Sequence, residues 1–312
     1  MFIDQPQYFK LKNILHSILL LAAMMLLLSL LGWLIAGYAG MLWALFTGLL
    51  LLFLIPKLSS KLTLYLYHAR PMPNNDLHDI IDQLSRRSQL EKVPSLYYLP
   101  SSALLSFSTG FYPEQVIAIS DAMIRYLNRR ELIAVLAHEI SHLKNQDLWV
   151  MVVADIISRL TSIMALFGYL MLVIYLPVKI ISGEDIPWLL FIILILAPNI
   201  SALLQLALSR TREFTADAQA IELTGDPEGL ISALNKMNQF EKHWLQKMLL
   251  PGYRHPQPSL LRTHPLTEER IRRLRLMASE ANKHDPDQQR FIKPGTNKVT
   301  KKPRHRFPGI WH

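Results

Sequence analysis

The chain has 312 residues, 51% of them hydrophobic, and 33 Lys and Arg against 24 Asp and Glu give a net charge of +9. Mean hydropathy is +0.20, and soluble domains with about 45–50% apolar residues fall below that, so the composition calls for membrane segments beside a folded domain. With no cysteine, disulfides and thiolate ligands are excluded and any metal must be held by His, Asp or Glu; the basic residues are not interleaved with aromatics, which argues against nucleic acid as a partner.

Residues 1–13 are polar and carry Lys10 and Lys12. Residues 14–36 are almost all apolar, enough to cross a hydrocarbon core of about 30 Å, which takes about 20 residues. Gly37 and Gly40 mark a turn, and a second apolar run over 39–55 stops at Pro56-Lys57. The pattern predicts a transmembrane hairpin over 14–56. A cleaved signal peptide is excluded, because the first run is too long and a second follows at once. Lys10, Lys12, Lys57, Lys61 and Arg70 flank one side of the hairpin, and its turn is uncharged. The positive-inside bias therefore places both ends in the cytoplasm.

Residues 57–147 read as a folded segment. Leu77, Ile80, Ile81 and Leu84 have helical spacing over 76–87. Residues 93–99 and 115–120 read as strands, and the hydroxyl-rich stretch 104–111 is compatible with a third. A strand edge here either binds an extended peptide or simply covers the next helix. Asn128 is a good N-cap, and Glu131 three residues on completes a capping box. The helix it starts has Leu132, Val135, Leu136, Ile140 and Leu143 on its apolar face.

That helix carries His138-Glu139-Ile140-Ser141-His142. Positions i and i+4 share a face, so the two imidazoles can hold one zinc ion at about 2.0–2.1 Å each. Glu139 stands where it can take a proton from water at the metal. A pair of His at this spacing is also compatible with a solvated helix face, so the reading needs a third ligand.

A second apolar pair follows over 148–208, with spans expected at 150–176 and 188–208. The first continues straight from the histidine helix and ends at Pro177; Pro198 kinks the second. Asp155 and Arg159, at i and i+4, are expected to pair or to line a cavity. Arg210 and Arg212 follow on the cytoplasmic side, which makes four spans. Just beyond lie Glu213 and Asp217, again i and i+4. Taken alone they are a charged helix end outside a membrane. Taken with the histidine pair, Glu213 completes a His₂Glu set, and Asp217 can accept a hydrogen bond from a ligand imidazole. Helices are expected over 227–240 and 268–278. His264 either stabilises an oxyanion or binds substrate, or it caps the helix after it. Residues 283–312 read as a basic disordered tail able to touch anionic lipid.

These motifs resemble the HtpX-type membrane zinc metalloproteases, gluzincins related to the CAAX prenyl proteases. The matching residues are His138 to His142 with Asn145 and Asp147, Ser209-Arg210-Thr211-Arg212-Glu213 with Ala216-Asp217, Leu223-Thr224-Gly225-Asp226-Pro227, and Thr263-His264-Pro265. The resemblance runs from the hairpin to about residue 277. One stretch departs: the family pattern Asn-Ala-Phe-Ala-Thr-Gly reads Leu105-Ser106-Phe107-Ser108-Thr109-Gly110 here. The expectation is a mainly α integral membrane protein with four transmembrane helices and a cytoplasmic α+β, zincin-like metalloprotease domain carrying a small β-sheet. That domain comprises 57–147 and 209–282. It is expected to bind one Zn²⁺ through His138, His142 and Glu213, with Glu139 catalytic. Its substrates would be membrane or unfolded polypeptides, cut in quality control at a bacterial inner membrane with the site facing the cytoplasm. A narrow-specificity processing protease and an inactive scaffold are the alternatives.

Overall fold

The computed structural model describes residues 5–73, 76–183, 188–248 and 267–284. It is mainly helical with one small mixed sheet. Helix α1 (Gln5–Leu66) is interrupted at Ala36 and Gly37, where Gly37 takes a φ of 60° that glycine adopts without steric cost. Beyond this point the chain doubles back. A Cβ built on Gly40 would lie 2.2 Å from the Gly32 carbonyl oxygen, so only glycine lets the two backbones touch. Helices α5 (Asp147–Ser182) and α6 (Trp188–Thr224) pack on the folded α1. Leu20, Met24, Leu28 and Ala44 of α1 share one buried cluster with Ala154 and Ile157 of α5 and Leu208 of α6.

Three helices are long and apolar enough to cross a membrane: the stretch Ile14–Leu51, α5 and α6. The expected pair 14–36 and 39–55 is here one bent stretch. Pro177 does not end α5, which runs on to Ser182, and Pro198 stands inside α6. Proline is tolerated in apolar helices where neighbouring groups and local adjustment satisfy the freed backbone. Asp155 and Arg159 pair with each other at 2.7 Å, with 44% and 57% of their side chains exposed.

The folded lobe contains α2 (Asp76–Ser88), α3 (Asp121–Tyr126), α4 (Arg129–Lys144), α7 (Pro227–Met248) and α8 (Thr267–His284). Its sheet joins β1 (Arg70–Pro71), β2 (Ser95–Leu99), β3 (Ser106–Thr109) and β4 (Val116–Ser120) in the order β1-β2-β4-β3. β2 and β4 are parallel; the other two pairs are antiparallel. All of β4 is buried, because it lies between neighbours on both edges. Its Ile117 and Ile119 join the main core with Ile81, Leu136 and Ile140. Ala118 turns the other way, with Phe107 and Tyr67. Ser106 pairs with Ile119 and Phe107 with Ala118. Side chains alternate along a strand, so Ser106 must face the helical side. The three predicted strands are present in shortened form; β1 and α3 had no clear sequence signal.

The capping box that opens α4 is formed: Glu131 N–H donates to Asn128 Oδ1, and Asn128 N–H to Glu131 Oε2. Contrary to the expectation of one straight helix, α4 and α5 are separated at Gln146, whose φ is 54°. Nothing apolar or β-branched in Lys144-Asn145-Gln146 opposes such a bend. His264, the loop 251–258, Glu184, Asp185 and residues 285–312 lie outside the described residues, as do the side chains of Lys10, Lys12 and Lys57.

Candidate metal centre

Two helices build the site. α4 brings His138 and His142, one turn apart, and α6 brings Glu213 and Asp217, also one turn apart. The helices are clamped where Asn145 and Gln219 exchange two side-chain hydrogen bonds, of 2.8 and 3.2 Å. The Nε2 atoms of His138 and His142 are 3.1 Å apart. Glu213 Oε2 is 3.5 Å from His138 Nε2, and Glu213 Oε1 is 3.5 Å from His142 Nε2.

These residues fit a metal ion on two counts. A tetrahedral ion with bonds of about 2.0–2.2 Å holds its ligand atoms about 3.3–3.6 Å apart, close to the three distances seen. Each outer nitrogen also faces a carboxylate: His142 Nδ1 donates to Asp147 Oδ2 at 2.8 Å, and His138 Nδ1 lies 3.0 Å from Asp217 Oδ1. That leaves both Nε2 lone pairs and a carboxylate converging on one point, an arrangement that a cation reconciles. Charge agrees. Glu139, Asp147, Glu213 and Asp217 are all buried, and the guanidinium groups in contact with them are Arg212 and Arg270. Among the described residues, four carboxylates against two guanidinium groups leave −2, a charge of the sign that a divalent ion offsets.

Arg270 of α8 is almost fully buried. It donates to both oxygens of Asp217, at 2.6 and 2.8 Å, and its Nη1 lies 3.0 Å from Glu213 Oε2. Arg212 does the same service for Asp147, at 3.1 Å. These contacts set the local titration. Burial pushes the Asp217 carboxyl upward, but the Arg270 charge and its hydrogen bonds prevail and hold it at about 2. Burial alone would lower both imidazoles. Asp217 and Glu213 nonetheless raise His138 above the ordinary histidine value, and Asp147 and Glu213 raise His142 well above it.

Glu139, next to the first histidine, is buried and accepts a 2.7 Å hydrogen bond from Ser106 Oγ of β3. The structure therefore draws together His138, Glu139, His142, Glu213 and Asp217. It adds three groups to which the sequence reading gave no role in the site. Asp147 was visible only as a motif neighbour. Ser106 was legible as part of a hydroxyl-rich strand, but its partner lies 33 residues away. Arg270 stood in a basic helix among other arginines. Its one signal was its place beside Ile271 on the buried stripe that also holds Leu274.

Residues 71–278 match the family model described as Peptidase family M48. Over 281 residues the chain is 34% identical to "Protease HtpX" of Legionella pneumophila subsp. pneumophila, covering 85% of this chain and 99% of that one. It is likewise 34% identical over 276 residues to "Protease HtpX homolog" of Pyrococcus furiosus, covering 84% and 95%. Among solved structures, S. mikatae Ste24p is similar with a TM-score of 0.44 and 21% identity, over 86% of this chain and 66% of that one. That likeness is too loose to bear on the site.

Proposed function

The chain belongs to peptidase family M48 and is a metalloprotease, and from that premise we propose a membrane-embedded zinc endopeptidase with ligands His138, His142 and Glu213 and general base Glu139. The convergence of these three side chains, which could hold a metal ion, carries the reading. The His₂Glu donor set favours zinc. A zinc ion there supplies Lewis acidity: it acidifies water and polarises the scissile carbonyl.

The chain's own groups do the rest. Glu139 takes the proton of the attacking water and delivers it to the leaving amine. The Ser106 hydroxyl fixes one oxygen of that carboxylate, so proton transfer starts from a set position. Asp147 and Asp217 hold the two imidazoles in the tautomer that points Nε2 inward. β3 pairs only with β4 among the described strands, so its outer edge is available to an extended peptide.

Membrane placement follows the same reading. The bent stretch of α1, with α5 and α6, makes four crossings, and the protease domain is formed by 57–147 and 209–282. Lys61, Arg70, Arg210 and Arg212 mark its side as cytoplasmic, in a bacterial inner membrane. Leu208, at the end of the apolar part of α6, is five residues from Glu213, about 7–8 Å of helix. Substrates are then membrane proteins or segments near the bilayer, cleaved in quality control. The test is metal content and casein cleavage of detergent-purified protein, wild type beside Glu139→Gln. About one zinc in both, with cleavage by the wild type only, is expected. Proteolysis by the variant overturns the assignment of the base.

A further inference from the structure

A cavity of about 270 Å³ opens between the end of β3 and the start of α5. Its walls include Phe111 and Tyr112 on one side, Leu148 and Trp149 on the other, and His142. His142 is also one of the three side chains that converge at the metal centre, so whatever fills the cavity lies beside the scissile bond. We propose that this cavity is a substrate subsite that takes one large apolar side chain, aromatic ones best; this rests on the protease reading above.

Several observations fix the chemistry. Among the described lining residues only His142 is titratable at neutral pH, and the other polar side chains besides Tyr112 are the neutral amides of Gln115 and Gln146, so an acidic or basic side chain would find no formal counter-charge there and would be disfavoured. Small-molecule pockets run from about 300 to 1,000 Å³; this one is smaller and suits a single side chain. The rings of Phe111 and Trp149 meet edge to face, with centroids 5.8 Å apart, and a third ring adds to such a cluster favourably. Tyr112 is 60% exposed and Trp149 38% exposed, so both offer open ring surface at the mouth.

The walls are preformed. The turn after β3 is held by Gly110 at φ +88°, where a Cβ would meet the Glu114 carbonyl at 2.1 Å, and by the 2.7 Å hydrogen bond from Glu114 N–H to the Phe111 carbonyl. On the far side, the bend at Gln146 brings Leu148 and Trp149 round to face that turn. Because Leu148 and Trp149 begin the apolar helix α5, the cavity lies at the junction of the protease lobe with the membrane helices. A segment leaving the bilayer presents large apolar side chains at that level.

The experiment maps cleavage sites by mass spectrometry, using zinc-loaded full-length protein on casein and a synthetic peptide pool. Wild type is compared with Trp149→Ala and, on the exposed turn, Tyr112→Ala. Wild type should favour Phe, Tyr, Trp, Leu or Met at one fixed position next to the cut, by at least about tenfold over Ala. Variants that keep about one zinc per chain should lose most of that preference at that position and at no other. A wild type without positional preference, or zinc-loaded variants with the wild-type profile, would overturn the subsite while leaving the protease intact. A zinc-loaded wild type that cuts nothing overturns the protease reading, and the subsite with it.

Discussion

Asp147→Asn tests how the metal centre is held without touching any proposed ligand. The substitution keeps the shape of the side chain and can still accept from His142 Nδ1, but removes the charge. Asp147 is buried, accepts from His142 at 2.8 Å and is paired with Arg212 at 3.1 Å. Loss of a partner of this kind weakens metal binding by about 10- to 100-fold. At about 1.36 kcal/mol per decade, that is about 1.4–2.7 kcal/mol. The neutral amide also leaves Arg212 short of its counter-charge, so the effect should lie toward the upper end. Zinc affinity measured by chelator competition on detergent-purified protein reads it directly. Activity at saturating zinc should recover most of the wild-type value, since Glu139 and Ser106 are untouched. Wild-type affinity in a folded variant would refute the reasoning, because His142 would then need no orienting carboxylate.

Ser106→Ala removes the hydroxyl that fixes Glu139. A hydrogen bond to a charged group contributes about 1.5–3 kcal/mol, so kcat/KM should fall at least about tenfold with zinc content unchanged; a peptide-cleavage assay beside metal analysis decides it. Arg270→Met deletes a buried cation that binds Asp217 twice and Glu213 once. Breaking such a pair costs about 3–5 kcal/mol, which a thermal or denaturant melt of the metal-free protein should record as a loss in stability, one that adding Asp217→Leu partly reverses. Metal affinity should depend on pH. Zinc needs neutral imidazoles, and His138 and His142 are raised above their ordinary value, so protons compete until pH rises through those raised values. Affinity should therefore already weaken above pH 6.5 as pH falls, and chelator competition across the neutral range checks this. In the metal-free protein the sign is opposite: stabilisation by protonated His142 is full below the unfolded value and is lost as pH rises through the folded one.

Local pattern made part of this molecule legible. The spacing of His138 and His142 needs only the helical repeat, and Asn128 with Glu131 needs only the first turn of a helix. Glu213 and Asp217 are legible as two carboxylates one helical turn apart just beyond an apolar run. What stayed hidden depends on contacts between distant segments. Only its place beside Ile271 sets Arg270 apart locally from Arg272 and Arg273; what gives it a role is its two carboxylate partners, 53 and 57 positions back. Ser106 faces Glu139 because of the register of β3 on β4, and register is not written in β3 alone. Pro177 and Pro56 mark breaks in a soluble reading, yet both lie within helices here. Gln146 marks none, yet its backbone turns the chain between α4 and α5.

The order of these segments along the chain has a consequence for biogenesis. His138 and His142 are made before α5, and Glu213 only after the apolar part of α6. A nascent chain that stops short of α6 holds His138, Glu139 and His142 but lacks Glu213, the third ligand in the proposed set. On the proposed ligand set, hydrolytic competence then waits until the chain has been made past α6.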